Sequence, residues 1–227
     1  MADKEQLRKK LIDGLAPDLA DIKDKQVDQL LTYLELMNHW NRKINLTAIH
    51  DPLEQVTRHL HDSFSIYSHL NNQDADPQKK RSVLDVGTGA GLPGIPLAIV
   101  QPDRQWYLLD SSTKRISFLR VVITQLKLNN VQLINSRVAD HQSEALYPLI
   151  VCRAFASLKE ITHNADHLLA ADGVFLAMKG QYPEKEIAEL TTGFAVTATH
   201  SLKVAGLNEE RHLLEVKRRT SCENEKG

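Results

Sequence analysis

Residues Leu84–Ala98 read LDVGTGAGLPGIPLA: an apolar run holding Asp85, then glycines at 87, 89 and 91, then prolines at 93 and 96. Glycine takes the backbone angles of a sharp turn freely, and proline's missing N–H costs little at a helix start. Such a run is the strand–turn–helix unit of a nucleotide-binding α/β sheet. Three loops can be built from it: one for phosphate, one for a dinucleotide, one for a sulfonium cofactor.

Spacing and charge separate them. A dinucleotide fingerprint needs Gly-x-Gly-x-x-Gly, and Gly87 and Gly89 fit, but the third position is Leu92; Gly91 comes one residue early and Gly94 two late. No Gly-Lys-Ser/Thr follows, so the phosphate loop fails. Asp85 would repel a pyrophosphate but suits a cationic amino group. S-adenosylmethionine carries an ammonium at its methionyl end and no phosphate, and glycines let the backbone approach that end. Asp85, Gly87 and Gly89 are therefore read as cofactor residues. Asp110 ends the next apolar run, where a ribose diol is held in such sheets. Its alternative reading is a cap for the helix that follows.

Outward from the loop, SVLDV, QWYLLD, VQLINSRV, LIVCRAF and VFLAMK read as strands. Helices are expected after Pro93, over Thr113–Lys127, around Asp140–Leu146 and over Ser157–Ala170. This alternation predicts a parallel sheet with crossover helices. FAVTATHSLKV and RHLLEVKR are joined only by AGLNEE, which predicts an antiparallel hairpin. On the N-terminal side, Val27, Leu30, Leu31, Leu34 and Met37 recur at helical spacing. A shorter helix is expected over Gln6–Leu15 and a helical stretch over Leu53–Leu70. NNQDADPQKKR reads as a linker. The chain divides into a helical extension (1–75), a sheet domain (76–219) and a disordered tail (220–227).

The 227 residues carry a formal net charge of -1, so any nucleic-acid binding must come from a local patch. The charged N-terminus has no signal-peptide core and no apolar run reaches a membrane span, which reads as a cytoplasmic protein. Two cysteines give no disulfide framework, and His59 and His61 have no accompanying ligand set, so no metal is expected.

The stretches NRKINLTAI, RHLHDS, LDVGTGAGLPGIPLAIV, LLDSSTKRISFLR, SRVAD, CRAFASL, MKGQ and ERHLL, in this order, resemble the bacterial ribosomal small-subunit methyltransferase G family, also called glucose-inhibited division protein B. The resemblance implies the class I S-adenosylmethionine-dependent methyltransferase fold: a Rossmann-like, seven-stranded, mostly parallel sheet with a terminal antiparallel hairpin and an N-terminal helical extension. It implies methyl transfer from S-adenosylmethionine to N7 of a guanine in 16S ribosomal RNA. It also implies a cofactor site of Gly87, Leu92, Val138, Ala139 and Arg153, with Asp110 on the ribose. Family members are more acidic at the position of Ala139; backbone contact there survives that change, whereas a side-chain hydrogen bond does not.

The residues fit that chemistry. CRAFAS stands where enzymes that methylate exocyclic amines carry an Asn/Asp-Pro-Pro-aromatic turn. Cys152, inside an apolar run, reads as core rather than as a nucleophile. Guanine N7 has a free lone pair, so no general base is needed, and in-line positioning alone supplies about 7–11 kcal/mol. Arg137, Arg153, Lys179 and Arg211 fall at strand ends and are candidates for guanine or phosphate, Arg153 as the positioning residue. With the resemblance, Asn45 and His59 become candidate RNA or lid contacts. Lys114, Arg115 and Arg120 are candidates for phosphates, though a solvated helix face explains them equally well. The partner read from this is 16S RNA, within the assembled small subunit. A cofactor-binding assembly factor without turnover and a nicotinamide dehydrogenase remain as alternatives.

Overall fold

In the computed structural model, which describes residues 3–73, 82–154 and 156–219, the N-terminal region forms two principal helices, α1 (Lys4–Asp13) and α2 (Asp24–Asn41). A 3-10 turn at Pro17–Leu19, not expected from the sequence, lies between them. The expected stretch 53–70 is broken into α3 (Pro52–Gln55), a π-helical turn over Val56–His61, α4 (Asp62–Phe64) and α5 (Tyr67–Asn72). Most of the linker and the whole tail lie outside the described residues.

The five apolar residues of α2 named above are all buried, in one cluster with Val83, Ile95 and Phe118 of the sheet domain. Burial of a Val or Leu side chain is worth about 1.5–3 kcal/mol, so their sum holds the helix firmly to the sheet. The side chains of Gln26 and Gln29 donate to the carbonyls of Ile99 (2.8 Å) and Leu126 (2.7 Å), satisfying acceptors that the ends of two crossover helices leave open.

The sheet comprises β1 (Ser82–Val86), β2 (Gln105–Asp110), β3 (Val131–Asn135), β4 (Tyr147–Arg153), β5 (Leu169–Lys179), β6 (Phe194–Ser201) and β7 (His212–Arg218), in the order β3-β2-β1-β4-β5-β7-β6. Pairings among β1–β5 are parallel, and β7 runs antiparallel to both neighbours. α6 (Gly94–Val100), α7 (Thr113–Leu126), α8 (Leu158–Ala165) and α9 (Glu184–Ala188) connect the strands. Along β1, Val83 faces the core shared with α2, α6 and α7, whereas Leu84 and Val86 face a second core with Leu158 and Ile161 of α8.

Three expectations fail locally. No helix spans 140–146: a 3-10 turn at Val138–Asp140 is followed by irregular chain, because HQSEA offers no apolar face and Leu146 stands 50% exposed. β3 stops at Asn135, short of that turn. The helix expected to reach Ala170 stops at Ala165, and β5 begins at Leu169, because the Arg218 guanidinium takes up the carbonyls of Asp166 (2.6 Å), Leu169 (3.1 Å) and Ala170 (2.7 Å) at the junction.

Candidate active site

The sheet order turns back between β1 and β4, and an open α/β sheet forms its ligand crevice at the carboxyl ends of strands beside such a point. The glycine loop occupies the end of β1. Gly87, Gly89 and Gly91 all have positive φ, at 67°, 60° and 95°. The N–H groups of Gly87 and Thr88 donate to Leu109 O at 2.9 and 3.1 Å, and the Tyr33 hydroxyl of α2 donates to Ala90 O at 2.7 Å. A Cβ on Gly91 would stand 2.5 Å from Ile95 Cγ1, and one on Gly94 2.3 Å from Leu108 Cδ2. These two are glycines for packing. Around Gly89 the nearest atom to an added Cβ is Gly87 O, at 3.8 Å, so its face is open.

Asp85 lies beneath this loop and corrects the expectation of a carboxylate presented to ligand. It is fully buried, and its Oδ2 accepts from Thr88 Oγ1 (2.6 Å) and Gly94 N (3.0 Å). Its Oδ1 has no hydrogen-bond partner among the described residues. Burial pushes its pKa up to about 6, against the hydrogen bonds and the nearby Arg153. It ties loop to helix and sets the charge below them.

Asp110, at the end of β2, is also buried. Its Oδ1 accepts from Ser112 N (2.8 Å) and its Oδ2 from Gly89 N (3.0 Å) and Arg115 Nη1 (3.3 Å). The helix after it is capped by the Ser112 side chain. Arg115 therefore leans on Asp110 rather than standing free for phosphate, although 44% of its side chain is exposed. Register pairs Asp110 with Asn135, which brings the Val138–Asp140 turn to the same edge. Leu92 and Val138 are nearly buried and Ala139 is exposed, so Leu92 offers little beyond its edge.

A second cluster forms where β4, β5 and β7 end or begin together. Arg153 pairs with Met178 in register and Lys179 with His212, which places Arg211 beside them. One carboxylate, Asp62 of α4, joins the two arginines: Oδ2 accepts from Arg153 Nη1 at 2.7 Å and Oδ1 from Arg211 Nε at 2.9 Å. Arg153 also donates to Arg58 O at 3.1 Å. The next residue, Ala154, holds a positive φ of 49°, uncommon away from glycine. A cavity of about 360 Å³ is lined by Ile49, Arg58, His59, Asp62, Arg153, Lys179 and Arg211, among others.

Within it, His59 is buried, its Nε2 lies 2.9 Å from Thr47 Oγ1, and burial, then Arg153, lower its pKa to about 4. It is a neutral, buried wall of the cavity at pH 7 rather than a side chain presented to solvent. Lys179 is engaged as well: Nζ donates to Glu186 Oε2 (2.8 Å) and Ala156 O (2.9 Å). Asn45, Lys114, Arg120 and Arg137 are exposed and do not line this cavity. Asn41, not Asn45, orders the loop after α2, accepting from Leu46 N (2.7 Å) and Thr47 N (3.1 Å). Cys152 is buried as expected, and burial pushes its thiol up to about 12.

Sequence reading missed Asp62, Asn41 and Tyr33. Asp62 lies in the quoted stretch RHLHDS, but nothing local marks a carboxylate that pairs with arginines 91 and 149 positions away.

The family profile described as "rRNA small subunit methyltransferase G" matches residues 26–214. The chain belongs to that family. Ribosomal RNA small subunit methyltransferase G of Alteromonas mediterranea is 40% identical over 96% of this chain and 100% of its own length. The Aeromonas hydrophila protein of the same name is 45% identical over 86% of this chain and 88% of its own. Among solved structures, the glycopeptide N-methyltransferase MtfA complexed with S-adenosylmethionine overlays with a TM-score of 0.56 at 13% identity, over 68% of this chain and 94% of that one. TrmN from Thermus thermophilus gives 0.53 at 17% identity, over 72% and 53%. The fold is that of the class I S-adenosylmethionine-dependent methyltransferases. Membership of the methyltransferase G family removes the dehydrogenase alternative. No helix of the described residues is long and apolar enough to cross a membrane.

Proposed function

We propose that this chain is an S-adenosylmethionine-dependent methyltransferase that modifies N7 of a guanine in 16S ribosomal RNA, in the cytoplasm. The observation that carries the reading is the pair of guanidinia, Arg153 and Arg211, held by Asp62 beside a glycine loop whose central face is open. The loop fits the cofactor: Gly89 admits close backbone approach, and the charge of Asp85 beneath favours a cationic ligand. Gly87, Gly89, Leu92, Val138 and Ala139 would hold it through backbone and apolar edges, and Asp110 would accept the ribose hydroxyls once Arg115 swings away. Bound there, S-adenosylmethionine supplies an electrophilic methyl group.

The chain's own work is positioning. Guanine presents N7 and O6 as acceptors in its major-groove edge. A guanidinium donating to O6 orients the base while leaving N7 free to attack. No proton has to be removed first, which suits a cavity whose histidine is buried, engaged and barely basic. Lys114, Arg120 and Arg137 are exposed cations placed outside the cavity, and they serve the RNA backbone. Asn45 serves the RNA from the loop after α2.

The test is methyl transfer by purified protein to ribosomal RNA that lacks the modification, followed by nuclease digestion and mass spectrometry of the nucleosides. The expected product is 7-methylguanosine at one site. A methyl group on another atom, or none with folded, cofactor-bound protein, rejects the reading.

A further inference from the structure

His69, His200 and Glu215 are far apart in sequence and meet in the fold. His69 lies on α5 of the helical cover, His200 on β6 and Glu215 on β7. His200 Nε2 stands 2.9 Å from Glu215 Oε1, and the two imidazole rings lie with centroids 4.3 Å apart, tilted by 45°. One ligand atom from each residue falls within 4.8 Å of the others. We propose that these three side chains form a binding site for a divalent transition-metal ion of the zinc type, joining the helical cover to the terminal hairpin.

The donor set is two imidazole nitrogens and a carboxylate oxygen, a combination that binds zinc at roughly 2.0–2.2 Å and leaves a fourth position for water. Ligands sharing one such ion stand roughly 3–4 Å apart, so the cluster closes by rotations of about an ångström. Its electrostatics favour a dication. The Glu215 side chain keeps only 12% of its surface exposed, among the buried Leu213, Leu214 and Val216 of the same strand. A mostly buried carboxylate needs a countercharge. A dication held by the two imidazoles and the carboxylate would supply one. Glu215 lies four positions along the chain from Arg211, so an ion here would pin the strand that directly follows one arm of the arginine pair.

Tag-free protein, stripped with chelator, is titrated with Zn²⁺ by calorimetry and with Co²⁺ by visible absorption, alongside His69→Gln and His200→Gln. Expected are one Zn²⁺ per chain, d–d bands of low-coordinate Co²⁺ and a higher Tm with metal. Both variants should bind more weakly by roughly a thousandfold or more, beyond the roughly 10–100-fold that loss of a supporting partner costs. Thermal unfolding in chelator checks each variant's fold. Since the two positions lie on different elements, Glu215→Gln is added if either variant fails to fold. Absence of binding to the wild-type chain, or equal binding by the folded variants, overturns the proposal.

Discussion

Asp62 carries one negative charge against two guanidinia, so the trio keeps a net positive charge at the cavity while each arginine is fixed in direction. Breaking a buried ion pair costs about 3–5 kcal/mol. Here the arginine side chains keep 19% and 20% of their surface exposed, which softens the loss. Asp62→Asn is therefore expected to destabilise the fold by only about 1–3 kcal/mol, the price of a hydrogen-bonded charge partner. Methyl transfer should fall about a hundredfold or more, because misplacement of a positioning group by an ångström is enough for that. S-adenosylmethionine affinity should stay nearly constant by calorimetry. Parallel losses of affinity and turnover would make Asp62 a structural strut only. His59 gives a pH signature. Its folded pKa of about 4 lies below the ordinary 6.5, so the stability it lends is full above about 6.5 and is lost as pH falls toward 4. Asp85, raised to about 6, acts in the opposite sense between its ordinary value and 6. In urea unfolding at pH 7 and pH 5, His59→Gln should lose less stability on acidification than the wild-type chain; an equal loss would remove His59 as a contributor.

A glycine of the loop and the glycine that opens α6 serve different ends, and substitution should separate them. Gly94→Ala puts a Cβ 2.7 Å from Asp85 Oδ2 as well as against Leu108, so it should lower Tm markedly and take cofactor binding with it. Gly89→Ala meets open space but requires a positive φ of a residue with a side chain, a strain of about 1–2 kcal/mol. It should fold, and lose S-adenosylmethionine binding by more than its loss of stability explains. Equal cofactor affinity in folded Gly89→Ala would place the ligand elsewhere. The loop, the strand alternation and the terminal hairpin were legible in the sequence because each is governed by neighbours within a few residues: glycine angles, apolar period, connection length. The end of α8 was not, since the carbonyls there are satisfied by Arg218 from the far end of the chain. Nor was the engagement of Lys179, which depends on Glu186 in a helix too short to show a period. Of the candidate site, the glycine loop and Asp110 could be placed at strand ends from the sequence, and so could Arg153 and Arg211, but the carboxylate that joins the two arginines belongs to a helix with no local sign of that task.

At the scale of the molecule, a formal net charge of -1 has to be reconciled with an RNA substrate. Proteins that capture bare RNA by counterion release carry extended basic surfaces, and their affinity falls by decades over a modest rise in salt. Here several cations are already committed within the fold: Arg153 and Arg211 to Asp62, Arg58 to Glu54 and Glu209, Lys179 to Glu186. Lys114, Arg120 and Arg137 are among the exposed cations that remain. Under the proposed function, recognition would then lean on shape, which RNA already folded with ribosomal proteins would supply. Assembled small subunits are accordingly expected to be better substrates than protein-free 16S RNA or whole ribosomes, with a shallow dependence on salt. Methyl-transfer rates on the three substrates across a salt series decide it. Equal or faster reaction on protein-free RNA, collapsing as salt rises, would mean that a basic surface captures the RNA after all, and that the charge balance of the chain says little about its substrate.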